Sequence, residues 1–241
     1  MLRGIRSVFS FLTIIPSSSA TLEETAKNMY LFPVAGIAIG LIVGALAFGL
    51  SFAVDPLLVG LLVAASIAIL TGVHHADGLA DFADGLMVRG NKAKRLAAMK
   101  DSSTGSAGTV GIILYMTGLI IAVSLAGGAD LFRALLVSEV LAKFAMVLMA
   151  SLGSPAAPGS SLPFVDSMRD KKKLVAAAAI TLVVVVGLEG STGLLMLGVS
   201  IVLVIFLLAV SKRSLGGITG DVLGATNELA RLASMVVFVS V

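Results

Sequence analysis

The sequence predicts an all-α protein, a polytopic membrane bundle of about seven transmembrane helices. Three observations carry this expectation. Of 241 residues, 58% are hydrophobic and 13% charged, where a soluble domain has about a quarter charged. Mean hydropathy is +1.08. Several runs approach the roughly 20 apolar residues that cross a bilayer core, while polar residues crowd into short segments such as TGVHHADGLADFADGLMVR (71–89). The chain reads as a single integral-membrane domain, 1–241. It has no cysteine, which excludes disulfides, thiolate metal sites and cysteine nucleophiles.

Taken in order, residues 1–16, MLRGIRSVFSFLTIIP, put Ile5, Val8, Phe9 and Leu12 on one helix side. This predicts an interfacial amphipathic helix lying at the membrane surface and ending at Pro16. Its apolar part is short for a signal peptide, and no small-residue cleavage site follows. The first span is 31–54. Its Gly36, Gly40 and Gly44 share a face that suits close helix contact, within the chain or in a homo-oligomer. Span two is 57–73, and a cytoplasmic Asp-rich helix and loop follow over 74–106. Spans three and four are 107–129 and 131–152. Glu139 and Lys143, four apart in span four, read as an internal pair. Spans five and six, 174–188 and 193–210, meet at a tight turn at Glu189-Gly190. The seventh, 222–241, is the most polar, with Asn227, Glu228 and Arg231 in its first half.

Lysine and arginine fall at alternate ends: Arg3, Arg6 and Lys27; Arg89 to Lys100; Arg169 to Lys173; Lys212 and Arg213. The other connections carry none, which sets the N-terminus inside and the C-terminus outside a cell membrane. Every polar segment then lies on the cytoplasmic side and suggests one site there. A transport pathway would instead spread polar groups through the spans.

Asp77, Asp81 and Asp84, spaced by four and three, share one helix face. Three carboxylates so placed repel unless a cation joins them, and hard oxygen donors favour Mg²⁺ or Mn²⁺. Gly78 and Gly85 would open the backbone to a bulky ligand. His74 extends the aspartate face by helical spacing, whereas His75 points away. The run 101–108, DSSTGSAG, precedes span three and suits a phosphate at a helix start, or capping by Ser102, Ser103 or Thr104. Arg89, Arg95 and Lys100 flank the acidic segments; they can neutralise phosphate or serve orientation alone. Asp221 is placed to cap the last helix, with Asn227 and Glu228 just inside it as functional candidates.

These residues resemble a known family. HADGLADFADG (75–85) is similar to the HxDGLADxxDG signature of cobalamin synthases, the adenosylcobinamide-GDP ribazoletransferases. SFLTIIP (10–16), MKDSSTGSAG (99–108) and TGDVLGATNE (219–228) resemble that family's SFLTRxP, MKDSxxGxxG and TGDxLGAxxE patterns, in the same order. The chain departs at Ile14–Ile15, where arginine is common, and at Glu139, where many members have arginine. The resemblance implies a membrane enzyme that uses Mg²⁺ to join α-ribazole, or its 5′-phosphate, to adenosylcobinamide-GDP. It releases GMP and forms adenosylcobalamin or its 5′-phosphate. It places the family's acids on Asp77, Asp81, Asp84, Asp101, Asp221 and Glu228, and its histidine on His75 rather than His74.

The expected site therefore has Asp77, Asp81, Asp84 and Asp101 as metal ligands and, with His75, as catalytic residues; Asp101 is the expected proton acceptor. Arg89, Lys100, Ser102, Gly105, Asp221, Asn227 and Glu228 are expected at the substrates. The expected partners are those two substrates and the lipid bilayer, with no nucleic acid. Two rivals stand beside this. A CDP-alcohol phosphotransferase shares Asp81-x-x-Asp84-Gly85 and Arg89, but the Ala-Arg pair and the downstream GxxxDxxxD element are missing. A transporter would show midplane acids or repeated halves, and neither is visible.

Overall fold

Apolar segments of bilayer length can satisfy their backbone within lipid as helices. In the computed structural model, which describes residues 2–17 and 21–241, helices are the only extended elements; Pro155 and Ile218 form an isolated parallel bridge. The order is α1 (Leu2–Leu12), α2 (Leu22–Lys27), a 3₁₀ turn (Met29–Leu31), α3 (Phe32–Leu50), α4 (Pro56–Leu70), α5 (His74–Met87), α6 (Lys92–Ala98), α7 (Ser106–Ser124), α8 (Gly128–Leu152), α9 (Leu162–Met168), α10 (Lys171–Ser214) and α11 (Gly220–Phe238). Leu57, Leu58 and Leu61 on α4, Ile113 and Leu114 on α7, and Val183, Val202 and Phe206 on α10 are exposed. Such faces are a liability in water and ordinary against lipid, as befits a multi-pass membrane protein.

Among the described residues, four helices are long and apolar enough to cross a membrane, or five if α4 and α5 count as one bent pair. The expected seven differ from this for identifiable reasons. α10 is one helix only by name. Gly190 has φ 53° and ψ −121°, and a Cβ on Gly193 would lie 2.5 Å from the Val185 carbonyl oxygen. In a continuous helix those residues would stand about 12 Å apart, so α10 is a hairpin turning at Glu189-Gly190. α4 has only 15 residues, and α11 carries Asp221, Glu228 and Arg231.

α8 is the central helix and packs most extensively on α3, α10 and α11. The glycine face of α3 is what lets it approach. A Cβ on Gly36 would lie 2.7 Å from Glu139 O, on Gly40 2.6 Å from Leu136 Cα, and on Gly44 3.0 Å from Phe132 O. That face is therefore covered within the chain rather than free for a second copy. α1 packs one side on the protein, with Val8 and Leu12 buried in the same core as Met29 and Phe32, while Leu2 and Phe11 remain exposed. Arg3 ties it to Glu24 of α2 at 2.6 Å. Met1, part of the expected interfacial helix, lies outside the described residues.

α5 turns 93° from α4. Gly72 and Val73 are both left-handed, with φ 64° and 63°, and Val73 N donates to Ala68 O at 2.9 Å. A β-branched residue in that region is uncommon and costs of order 1–3 kcal/mol. Ile14 N donates to Leu70 O at 2.9 Å, so the 10–16 segment braces the bend.

Gly40→Ala should lower the thermal midpoint in detergent, since overpacking against backbone costs about 1–3 kcal/mol. Gly49→Ala, where a Cβ meets nothing within 4 Å, should leave the midpoint equal or higher.

Candidate active site

The geometry of the aspartate row depends on two glycines. A Cβ on Gly78 would lie 3.0 Å from Asp221 Cα, and one on Gly224 3.2 Å from His75 O. Their absence lets α5 and α11 meet backbone to backbone. Gly78 thus serves helix contact rather than the expected ligand approach, and Gly85 does the same under Met99 and Arg95. The close crossing carries Asp221 to the aspartate row. The Asp81 carboxyl is pushed up to about 6 by burial first, then by the charges of Asp77, Asp221 and Asp84. Among the described residues no ion-pair partner stands within 4.0 Å of Asp77, Asp81 or Asp221.

Asp84 has another task. Its Oδ2 accepts from Gly105 N at 2.7 Å and its Oδ1 from Gly108 N at 2.8 Å. A Cβ on either glycine would come within 2.5 Å of those oxygens. The anion at the start of α7 is therefore the protein's own carboxylate, where a phosphate was expected at Gly105. Asp101 is exposed and accepts from Ser103 N at 2.9 Å in an Asx turn; Ser102 is exposed beside it. The expected set of four aspartates accordingly does not gather around one point. Arg95 donates to Gly85 O at 3.3 Å and to Leu86 O, closing the end of α5. Arg89 is exposed just beyond it.

Two cavities meet at Asp221. One, of about 140 Å³, is lined by Lys100, Ser160, Ser161, Thr219 and Asp221 among others. The other, of about 430 Å³, has Phe11, Phe32 and Phe164 together with His74, His75 and Asp221. They share Ser160, Gly220 and Asp221. Their common wall is the segment after α8, pinned to the turn before α11. Ile218 N donates to Ser154 O at 2.8 Å, Ala156 N to Ile218 O at 2.9 Å, and Ser161 Oγ to Ile218 O at 3.0 Å. Nothing in the sequence marks this wall as functional; SPAAPGSSLP (154–163) carries only a turn signal and no charge.

Beneath the site lies a buried polar network. Lys143 Nζ donates to Asn227 Oδ1 at 2.7 Å and to Glu139 Oε2 at 3.3 Å. Arg231 pairs with both Glu139 and Glu228 and donates to the Tyr115 hydroxyl at 2.8 Å. Asn227 Nδ2 donates to Glu228 Oε1 at 2.7 Å. The expected Glu139–Lys143 pair is real but is part of this larger set. Asn227 and Glu228, expected at the substrate, are held in it and line neither cavity. His75 is buried, with Nδ1 4.0 Å from Glu228 Oε1 and without a hydrogen-bond partner. Burial first, then Lys143 and Arg231, holds its pKa well below the ordinary histidine value. His74 is exposed, yet both rings reach the larger cavity, although helical spacing alone set them on different faces.

The residues fit a hard divalent cation in one way. Among the described residues no three acid or histidine side chains form a ready metal cage. Mg²⁺ seldom needs one, since it takes one or two carboxylates with waters and substrate phosphates. Asp77 and Asp81, unpaired and adjacent in charge, offer that partial set.

Comparison with known proteins agrees with the motifs. The family model described as cobalamin-5-phosphate synthase matches residues 4–239. A protein of Archaeoglobus fulgidus named adenosylcobinamide-GDP ribazoletransferase is 35% identical, over 98% of this chain and 96% of its own. Proteins of the same name from Methanocella arvoryzae and Geotalea daltonii are 31% and 32% identical, covering 98% and 100% of this chain and 94% and 98% of their own. No solved structure matches the chain.

Two outcomes follow from this geometry. The folded pKa of Asp81 lies above the ordinary 3.8, so its ionised form weakens the metal-free fold at neutral pH and the penalty fades as pH falls toward 4. In chelator, Asp81→Asn should melt higher than wild type at pH 7.5, by roughly 2–4 °C per kcal/mol relieved, and the gap should close between pH 6 and 4. Arg231→Met strands two buried carboxylates and should cost about 3–5 kcal/mol or more in detergent unfolding, with Arg231→Lys recovering part.

Proposed function

The chain belongs to the cobalamin-5-phosphate synthase family, and from that membership we propose that it joins α-ribazole, or its 5′-phosphate, to adenosylcobinamide-GDP with release of GMP. It is an enzyme, a transferase built into a membrane. The observation that carries the reading is a group of mutually repelling carboxylates, Asp77, Asp81 and Asp221, whose Asp221 lines both the cavity that holds Lys100 and the aromatic one. Phosphoryl transfer asks chiefly for positioning and charge neutralisation, and these groups supply both.

A ribose hydroxyl of ribazole attacks the phosphorus on the cobinamide side of the phosphoanhydride. The new P–O bond replaces the bridging one, and GMP leaves with its electron pair. Asp221, at the junction of the cavities, takes the hydroxyl proton; its Oδ2 is steadied by the Thr219 hydroxyl at 3.1 Å. Asp101, in its exposed turn, gives way to Asp221 in this role. Lys100 meets the departing phosphate from the smaller cavity. Asp77 and Asp81 would hold Mg²⁺, which when bound neutralises charge on the phosphoanhydride. The basic segments around Lys92–Lys100 and Lys171–Lys173 favour a site on the cytoplasmic face of the cell membrane, with the N-terminus inside.

The test is incubation of the purified protein with adenosylcobinamide-GDP, α-ribazole and Mg²⁺, with product mass and GMP as readouts. Turnover should stop in chelator, and Asp221→Asn should lose about 10²–10⁴-fold in kcat. Wild-type protein that forms no product would sink the reading; an undiminished Asp221→Asn would remove the assigned proton acceptor.

A further inference from the structure

The 10–16 segment has a place in the fold but no part in the chemistry above. It carries Phe11, and Phe11 opens onto the larger cavity. Resting on the ribazole reading, we propose that this cavity seats the aromatic base of the ribazole, with Phe11 and Phe164 as the rings that recognise it.

The walls argue for an aromatic guest. Phe11 of α1, Phe32 of α3 and Phe164 of α9 come from three separate elements, yet their centroids lie 5.4 to 6.2 Å apart, within the range of favourable ring contacts. Phe32 and Phe164 are buried, whereas Phe11, which also lines the cavity, remains 39% exposed. α1 is fixed so as to present it. Thr13 Oγ1 donates to Phe9 O at 2.7 Å, and Ile14 N holds Leu70 O.

Beside Leu22, Met146 and Leu223, the lining carries polar groups that argue against a lipid chain. His75 is buried in the cavity's wall. His74, Ser160 and Asp221 add further polar groups. An acyl chain makes no use of them, while a base with ring nitrogens and an attached sugar does. The volume, about 430 Å³, falls in the ordinary range for small-ligand sites, about 300–1,000 Å³. It suits one nucleoside and is too small for a corrin macrocycle with its side arms. A base seated among the phenylalanines directs its ribose to Asp221, the one carboxylate among the residues the two cavities share. That is where the attacking hydroxyl is needed.

The test uses full-length enzyme in detergent, with Phe11→Leu and Phe164→Leu. Loss of base stacking should raise KM for α-ribazole about 10-fold in each. KM for adenosylcobinamide-GDP and kcat at saturation should stay within about twofold, and Phe11→Tyr should recover most of the loss. Calorimetric titration with α-ribazole alone should show the same weakening. An unchanged ribazole KM in both variants, with wild-type turnover intact, overturns the base site and leaves the reaction standing; a lipid occupant gives that result. An equal rise for both substrates also overturns it. Absence of wild-type turnover sinks the proposed reaction instead. Should Phe164→Leu fail to fold, the half-exposed Phe11 decides the matter by itself.

Discussion

The structure depends on a set of buried charges that sum to zero. Glu139, Glu228, Lys143 and Arg231 are sealed among α5, α7, α8 and α11. Unpaired charge at membrane depth is costly, so each group must find its partner, and only one relative placement of α8 and α11 provides them all. Turning α11 by one residue would swing Arg231 about 100° away from Glu139. Asn227 and the Tyr115 hydroxyl close the remaining valences. The network therefore sets the register of α11, and Asp221 stands two turns above Glu228 on the same helix, about 10 Å away.

Register becomes site geometry through glycine. Gly78 and Gly224 remove the side chains that would separate α5 from α11, so the helix fixed by the buried charges delivers its first-turn aspartate to the row on α5. Gly105 and Gly108 make room for Asp84 at the start of α7, which fastens the 99–105 loop, and with it Lys100, to the same helix. The three polar motifs thus meet because backbones touch at their crossings.

Much of this was legible in the sequence, and the gaps have physical causes. The apolar runs, the hairpin at Glu189-Gly190 and the aspartate row follow from local pattern, because each depends on neighbours within a few residues. The sharp bend between α4 and α5 did not show, since a left-handed valine has no sequence signal. Glu139 and Lys143 were visible as a pair at four-residue spacing, but Arg231 lies 92 residues from Glu139. The task of Asp84 was likewise hidden, as both its donors come from another helix. The cavity wall at 154–161 has no such signal because it acts through turns and small side chains, which resemble any connecting loop.

The distribution of charge explains why a chain so poor in polar residues can still hold a reactive centre. Its buried cations, Lys143 and Arg231, lie close below the site, yet both are bound to their own glutamates and offer the aspartates above little compensation. Asp81 keeps its excess negative surroundings for that reason, and burial first, then those charges, raises its pKa. Had Arg231 turned upward to pair with Asp221, the fold would lose the neutrality of its interior and the site would lose its demand for a positive partner. Separating a self-neutral network inside the bundle from an uncompensated one at its edge satisfies both requirements. The interior tolerates lipid, and at the edge Asp77, Asp81 and Asp221 have no ion-pair partner within 4.0 Å among the described residues.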